Sequence, residues 1–378
     1  MNVAYSPAGF LRKAGRFYCR QPMCRLIKHL LPASLLLPLV LAACHTRPAD
    51  QPQPGPTVPT AARDTLAYSF AVLGCNRIDN ADLNLSANPS TANVPQLLRT
   101  CQDLADTRPA PAFVFMMGDL VLGYSPDSAV IGRQLRAWVS LYRSSALGRA
   151  GTTRLLALPG NHEVMSGKNQ PSYAAAEAAW LRALGPYLPA TPNGPAANGP
   201  DRLATDQSHL TTSFDYQRTH FVLLNTDPVG SEGKAPTQWL AQDLAAARAR
   251  NVRHTFVLGH KPAVPAPAND GLSNGGDLMT LLDQSHGEAM LAAHNHLYYR
   301  LQPPGLKTWQ IIAGNGGSAL DASASPNKLF FGYTLVKVFT SGRVMAYSYG
   351  RNLPANGYLG SPAGIPTTLR DSVDITWK

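Results

Sequence analysis

From Tyr68 onward, short apolar runs alternate with longer segments of helical spacing. The runs are Tyr68–Leu73, Ala112–Met117, Arg154–Leu158, His220–Leu224, Thr255–Leu258, Ala289–Ala292, Thr308–Ile312 and Tyr333–Phe339. Their length and their Val, Ile, Leu and Phe content fit buried strands. Helices are predicted over Val94–Ala105, Ser128–Leu147, Ser172–Leu184, Pro236–Ala249 and Asp277–Gln284. Strand and helix in alternation predict an α/β core whose sheet layers are covered by helices. Residues 189–209, rich in Pro, Gly and Asn, interrupt the alternation and read as a surface loop over one rim of the sheet.

The first sixty residues follow another logic. Arg25 and Lys28 precede the apolar run from Leu30 to Val40, which is short and broken by proline, and Leu41-Ala-Ala-Cys44 follows. A basic start, a short apolar run and small residues before a cleavage point describe a secretory signal rather than a membrane span. Leu41–Cys44 resembles a bacterial lipobox, which implies cleavage before Cys44 and lipid attachment there. Met23 is better placed than Met1 to begin such a signal. Residues 45–63, dominated by Pro, Ala, Thr and Gln, read as an extended linker. The expected organisation is a signal over 1–43, the lipidated cysteine and linker over 44–66, one domain over 67–350 and a C-terminal extension over 351–378.

Charge changes less than it promises. The formal charge is +10, but Arg12, Lys13, Arg16, Arg20, Arg25 and Lys28 all precede Cys44, where no acidic residue stands, so the remainder carries only +4. No basic-aromatic stripe accompanies it, and nucleic acid is not an expected partner. Beyond Cys44, Cys75 and Cys101 remain, enough for at most one disulfide.

The chemistry collects just after the apolar runs. In order these points are Gly74-Cys-Asn-Arg77, Gly118-Asp119, Gly160-Asn-His-Glu163, Gly259-His260 and Ala293-His-Asn-His296. Strand C-terminal ends gather at one edge of a sheet, so separate loops can build one site. Asp119 offers a carboxylate able to bridge two cations, Asn161 a carbonyl oxygen, and His260, His294 and His296 imidazoles. Mixed oxygen and nitrogen donors suit zinc, manganese or iron better than calcium. Taken singly, each residue has an ordinary structural use in a cap, turn or loop; their joint order is the signal.

That order closely resembles the calcineurin-like metallophosphoesterase superfamily, including its purple acid phosphatase branch, across most of residues 68–350. Thr212–Tyr216, His220–Asp227, Gln238–Leu244 and Ala313–Gly317 extend the resemblance. It implies a layered β-sandwich flanked by helices, with metal at the strand C-terminal ends. It also implies that Asp119 bridges two metals, that Asn161, His260 and His294 complete one site, and that His296 belongs to the other. His162 would contact phosphate and assist the leaving group. Lys261 and Pro262 resemble the turn that follows the family's histidine. Tyr124 lies five residues after Asp119, where the branch's iron-binding tyrosine stands at three, so a structural or substrate-stacking role is expected. Glu163 reads either as orienting a histidine or as facing solvent.

The family's first motif is Asp-x-His, and both side chains bind the first metal. Here the positions are Cys75 and Arg77. In one reading a Cys75 thiolate replaces the carboxylate, and Arg77, which has no lone pair to give, grips the substrate phosphate with its two-pronged guanidinium. In a second, Cys75 is inert and Arg77 supplies charge where the first cation normally sits. In a third, the site binds a ligand without turnover. Asp79 reads as a turn cap, or as a replacement oxygen ligand.

The function these readings imply is hydrolysis of a small phosphomonoester or phosphodiester by water, aided by one or two metal ions, with Arg77 and His162 on the phosphoryl group. The alternative is a catalytically impaired surface lipoprotein that binds a phosphorylated ligand or partner through the same pocket. The expected location is the bacterial outer membrane, reached through the lipid on Cys44.

Overall fold

The computed structural model describes residues 64–79, 93–321, 328–353 and 360–378; the expected signal, Cys44 and most of the linker lie outside them. Two six-stranded sheets carry the fold. The first contains β1 (Leu66–Leu73), β2 (Phe113–Met117), β3 (Arg154–Leu158), β10 (Phe331–Phe339), β11 (Val344–Arg351) and β12 (Thr368–Asp374), in the order β12-β11-β10-β1-β2-β3. The second contains β4 (Thr212–Tyr216), β5 (Thr219–Leu224), β6 (His254–Gly259), β7 (Ala289–Ala292), β8 (Tyr298–Leu301) and β9 (Trp309–Ala313), in the order β4-β5-β6-β7-β9-β8. Parallel pairing joins β1 to β2 to β3, and β5 to β6 to β7 to β9.

Because side chains alternate along a strand, the central strands must bury both faces. Phe70 and Val72 of β1 face the second sheet, while Ala71 and Leu73 face helices. Between the sheets, the Phe70 ring meets those of Phe221 and Phe256 edge-on, each 5.1 Å away. Each such buried ring stabilises the stack by about 1.5–3 kcal/mol. On the outer face of the first sheet lie α1 (Val94–Ala105), α2 (Ser128–Ser144) and α5 (Ala174–Leu184), which bury Leu97, Trp138 and Trp180. Over the second lie α6 (Thr237–Ala249) and α7 (Gly275–Gln284), through Leu240, Leu244 and Leu278.

The eight predicted strands and five predicted helices are present, with small shifts at their ends. The helix expected over Ser128–Leu147 breaks at Ser145, whose hydroxyl accepts from Gly148 N at 3.1 Å and starts α3 (Ala146–Ala150). Serine there competes with the helix by offering its oxygen to a free amide. Strands β4, β8, β11 and β12 lack a continuous apolar run, since they lie at or near sheet edges and expose part of their surface. Residues 351–378, expected as an extension, supply β12 and so belong to the first sheet. The 189–209 segment is tied into the body: Gln207 is fully buried and donates to Glu177 Oε1 at 2.8 Å.

Cys75 and Cys101 are both free and buried, one in the core between the sheets and the other on the inner face of α1. The single disulfide that the composition allowed is therefore not formed. They face opposite sides of the first sheet.

Candidate metal centre

The loops that bring the site together leave both sheets rather than one. Cys75 and Arg77 follow β1, Asp119 follows β2, and Asn161 and His162 open α4 (Asn161–Val164) after β3. His260 follows β6 and His294 and His296 follow β7, both in the second sheet. The single sheet edge expected from strand alternation is thus corrected to one end of the sandwich, where the two sheets meet.

Backbone contacts lock these loops to one another. Cys75 N donates to Gly118 O at 3.0 Å, and Asn76 N and Arg77 N both donate to Asp119 O, at 2.7 and 2.8 Å. Cys75, Arg77, Asp119, Tyr124 and His294 all hold positive φ, between 47° and 63°. A left-handed residue other than glycine costs about 1–3 kcal/mol, and such residues collect where the surroundings force a side-chain direction. Gly160 sits where a Cβ would lie 2.4 Å from Asp119 Oδ1, so only glycine lets α4 approach the carboxylate.

Glu163 acts as the buckle. Its carboxylate is fully buried and accepts from Gly160 N at 2.7 Å and from Asp119 N and Val121 N at 2.9 Å. It neither faces solvent nor orients a histidine, and both expectations are corrected. Burial pushes its carboxyl up, with Asp119 adding to the rise, while these amides pull the other way.

Asp119 is the centre of charge, with no exposed surface. Its Oδ2 accepts from Arg77 Nε at 3.0 Å and Nη2 at 2.7 Å. Its Oδ1 lies 3.1 Å from His260 Nε2 and accepts from His162 N at 3.2 Å. Burial works against ionisation, yet the cationic surroundings outweigh it and hold the carboxyl well below its usual range. His162 and His260 lead the lowering contributions, and Arg77 adds a guanidinium that is charged at every accessible pH.

The histidines have defined tautomers. His260 Nδ1 faces Met117 O at 2.8 Å and must carry the proton, which leaves Nε2 towards Asp119 and 3.2 Å from His294 Nδ1. His294 Nε2 faces Asp270 Oδ1 at 3.0 Å, so its proton is there and Nδ1 is the bare nitrogen. Two imidazole lone pairs and a carboxylate oxygen therefore converge, an arrangement that only a positive charge between them can hold. Burial lowers the His260 pKa, but Asp119 beside it outweighs that and raises it. Asn161 Oδ1 is buried with no hydrogen-bond partner among the described residues, as an oxygen reserved for a cation would be. Asp119, His260 and His294 form one group of ligand atoms within 4.8 Å of one another. These donors fit a single metal ion of the zinc, manganese or iron type.

A second group within the same distance is Cys75, Asp119 and His296. His296 Nδ1 is bound to Ala319 O at 2.7 Å, and its Nε2 is shielded and unpartnered among the described residues. Burial and Arg77 press its pKa down to about 3, so the lone pair is available. Cys75 is different, because burial, with Asp119 beside it, raises its thiol well above the ordinary value. Among the described residues, Asp79 joins neither group.

The site opens into a cleft of about 930 Å³ lined by Arg77, Tyr124, His162, Lys168, Lys261 and Asp270, among others. His162 Nδ1 donates to Leu122 O at 2.6 Å, leaving Nε2 3.8 Å from Asp119 Oδ2. Burial brings its pKa down to about 4, with Asp119 opposing and Arg77 reinforcing the fall. Lys261, beside the expected turn proline, is spent on Asp227 Oδ1 at 2.5 Å. Asp270 was not foreseen: it stands in a Pro/Ala/Asn loop with no motif to mark it, and only the folded chain sets it against His294.

The Calcineurin-like phosphoesterase family model matches residues 81–298, more than half of the chain. The chain belongs to this family, whose members are metal-dependent phosphoesterases, hydrolases that use divalent metals. The matched span starts after Arg77 and runs from the segment before Asp119 through His296. The fold is similar to purple acid phosphatase PPD1 from yellow lupin (Lupinus luteus) seeds, at 16% identity and a TM-score of 0.53, over 81% of this chain and 53% of that one. The chain thus spans about half the length of the lupin protein. It is also similar to GAP50, the anchor in the inner membrane complex of Plasmodium, at 14% identity and a TM-score of 0.51, over 82% of this chain and 89% of that one. At such identities the likeness establishes the fold. Comparison with curated protein sequences found no match.

Proposed function

We propose that this protein hydrolyses a small phosphomonoester or phosphodiester with one metal ion, held by Asp119, Asn161, His260 and His294, and with Arg77 in place of a second. The observation that carries the reading is the two-pronged contact of Arg77 with Asp119 Oδ2, which leaves Oδ1 to the histidines. A bound cation supplies Lewis acidity, polarising the phosphoryl oxygens and easing deprotonation of the attacking water. The chain's own groups do the rest.

Arg77 spends Nε and Nη2 on Asp119 and, with its side chain 14% exposed, turns its remaining edge to the cleft. There it supports negative charge that grows on the phosphoryl oxygens. His162 presents Nε2, neutral before substrate arrives. A phosphoryl dianion beside it favours the imidazolium and so allows proton delivery to the leaving oxygen.

The Cys75, Asp119 and His296 group favours a second reading, in which a thiolate helps to hold another cation and Arg77 leaves Asp119 for the substrate. Metal analysis of residues 45–378, with assays on chromogenic mono- and diesters, separates the two. One metal per chain, with Cys75→Ala still active and Asp119→Ala inactive, is the expected result. Two metals, with activity lost in Cys75→Ala, favours the thiolate. No turnover with zinc, manganese or iron overturns the enzyme and leaves a binding lipoprotein.

The segment Leu41–Cys44 supports export and lipid attachment at the outer membrane, and mass spectrometry of the mature chain is the test. An acylated Cys44 at the N-terminus is expected. A mature chain beginning elsewhere removes this part of the proposal.

A further inference from the structure

Tyr124 touches both members of the Asn161–His162 pair. Its hydroxyl accepts a hydrogen bond from Asn161 Nδ2, and its ring lies over the His162 imidazole with centroids 3.8 Å apart. Its backbone N–H donates to His162 O at 2.9 Å. The preceding Gly123, at φ 52°, passes so close that a Cβ there would fall 1.7 Å from His162 O. Tyr124 itself is held at φ 47°, a conformation that a tyrosine rarely adopts.

An asparagine amide has two unlike ends. The oxygen can give a lone pair to a cation, whereas the NH2 group cannot. Side-chain rotation exchanges the two ends unless a neighbour distinguishes them. The Tyr124 hydroxyl can pair with either end; here it accepts from Nδ2, and Oδ1 is left as the buried, unpartnered atom, the end that a cation selects. The hydroxyl is already engaged in this way, at a spacing from Asp119 unlike that of a tyrosine ligand.

We propose that Tyr124 is a positioning residue: its hydroxyl fixes the Asn161 amide so that the oxygen faces the cation, and its ring holds the His162 imidazole in place. The inference rests on the one-cation reading above. It predicts that the hydroxyl acts on metal affinity through Asn161 and not by direct contact.

Zinc titration of the metal-free full chain against a chromogenic chelator is the test. Tyr124→Phe keeps the ring and is expected to weaken zinc by about tenfold, the usual effect of losing a group that orients a ligand. Asn161→Ala is expected to weaken it at least as much. Tyr124→Phe added to Asn161→Ala is expected to cost nothing further, because both changes remove the same interaction. Thermal melting of the metal-free variants gives the folded fraction to which each affinity is referred. Excess zinc is expected to restore turnover in Tyr124→Phe, as a packing defect would not allow. Unchanged zinc affinity in Tyr124→Phe, or additive losses in the double variant, overturns the positioning role while leaving the one-cation reading intact. Absence of zinc binding in the unaltered chain overturns both.

Discussion

Arg77 donates both Nε and Nη2 to a single oxygen of Asp119, at 3.0 and 2.7 Å, and Asp119 has no exposed surface. A carboxylate expected from the sequence to bridge two cations is therefore half-committed to a guanidinium that cannot be displaced by deprotonation. This contact distinguishes the centre from one built on Asp-x-His.

Restoring the family motif with Cys75→Asp and Arg77→His is expected to raise the metal content from one ion per chain to two, measured by inductively coupled plasma mass spectrometry. Arg77→Ala alone leaves Asp119 buried without its fixed counter-charge. It is expected to cost about 3–5 kcal/mol in urea unfolding of the metal-free chain.

Glu163→Gln keeps the shape but not the acceptors. One amide oxygen cannot serve Gly160 N, Asp119 N and Val121 N together, so at least one buried N–H loses its partner. The expected loss is about 1–3 kcal/mol of stability, with weaker zinc binding because Asp119 is no longer held. Chemical denaturation and chelator competition read the two effects separately.

Asp270→Asn tests the partner of His294. Its hydrogen bond to His294 outweighs burial and draws the Asp270 carboxyl down to about 2, so the group is ionised across the working range. Removing that charge is expected to weaken zinc by about tenfold through a less basic, less firmly oriented imidazole. Asp270 is exposed, so the melting temperature of the metal-free chain is expected to hold steady.

Away from the site, Asp371 joins the edges of the two sheets, accepting from Tyr298 Oη at 2.6 Å and from Arg300. Burial alone would raise its carboxyl, but the Arg300 and Tyr298 hydrogen bonds outweigh it and lower it. An acid depressed in this way contributes stability above its unfolded pKa of about 4, and that contribution is lost as pH falls through the lower folded value. Asp371→Asn is expected to lower the urea midpoint at pH 6, with the gap from the unaltered chain narrowing by pH 3.

Strand and helix placement was legible wherever a strand buries both faces, as in Phe113–Met117 and Arg154–Leu158, because continuous apolar runs leave little choice. It was not legible in Thr368–Asp374, an edge strand whose sequence is as polar as a loop and whose pairing depends on β11 being there first. The candidate cation donors stood out for a different reason. Asp119, Asn161, His260, His294 and His296 each follow a strand end, and chemistry of that kind placed after successive strands has one common destination.

The order of residues along the chain thus determined the layered α/β frame, the candidate donors and the break in the first motif at Cys75 and Arg77. It left open which way those two residues turn, what Glu163 holds, and that Asp270 and Tyr124 lie against His294 and Asn161. Folding settled these matters because each depends on loops far apart in sequence meeting at one end of the sandwich. There, left-handed backbone positions and close glycine contacts set side-chain directions that no local pattern of apolar and polar residues encodes.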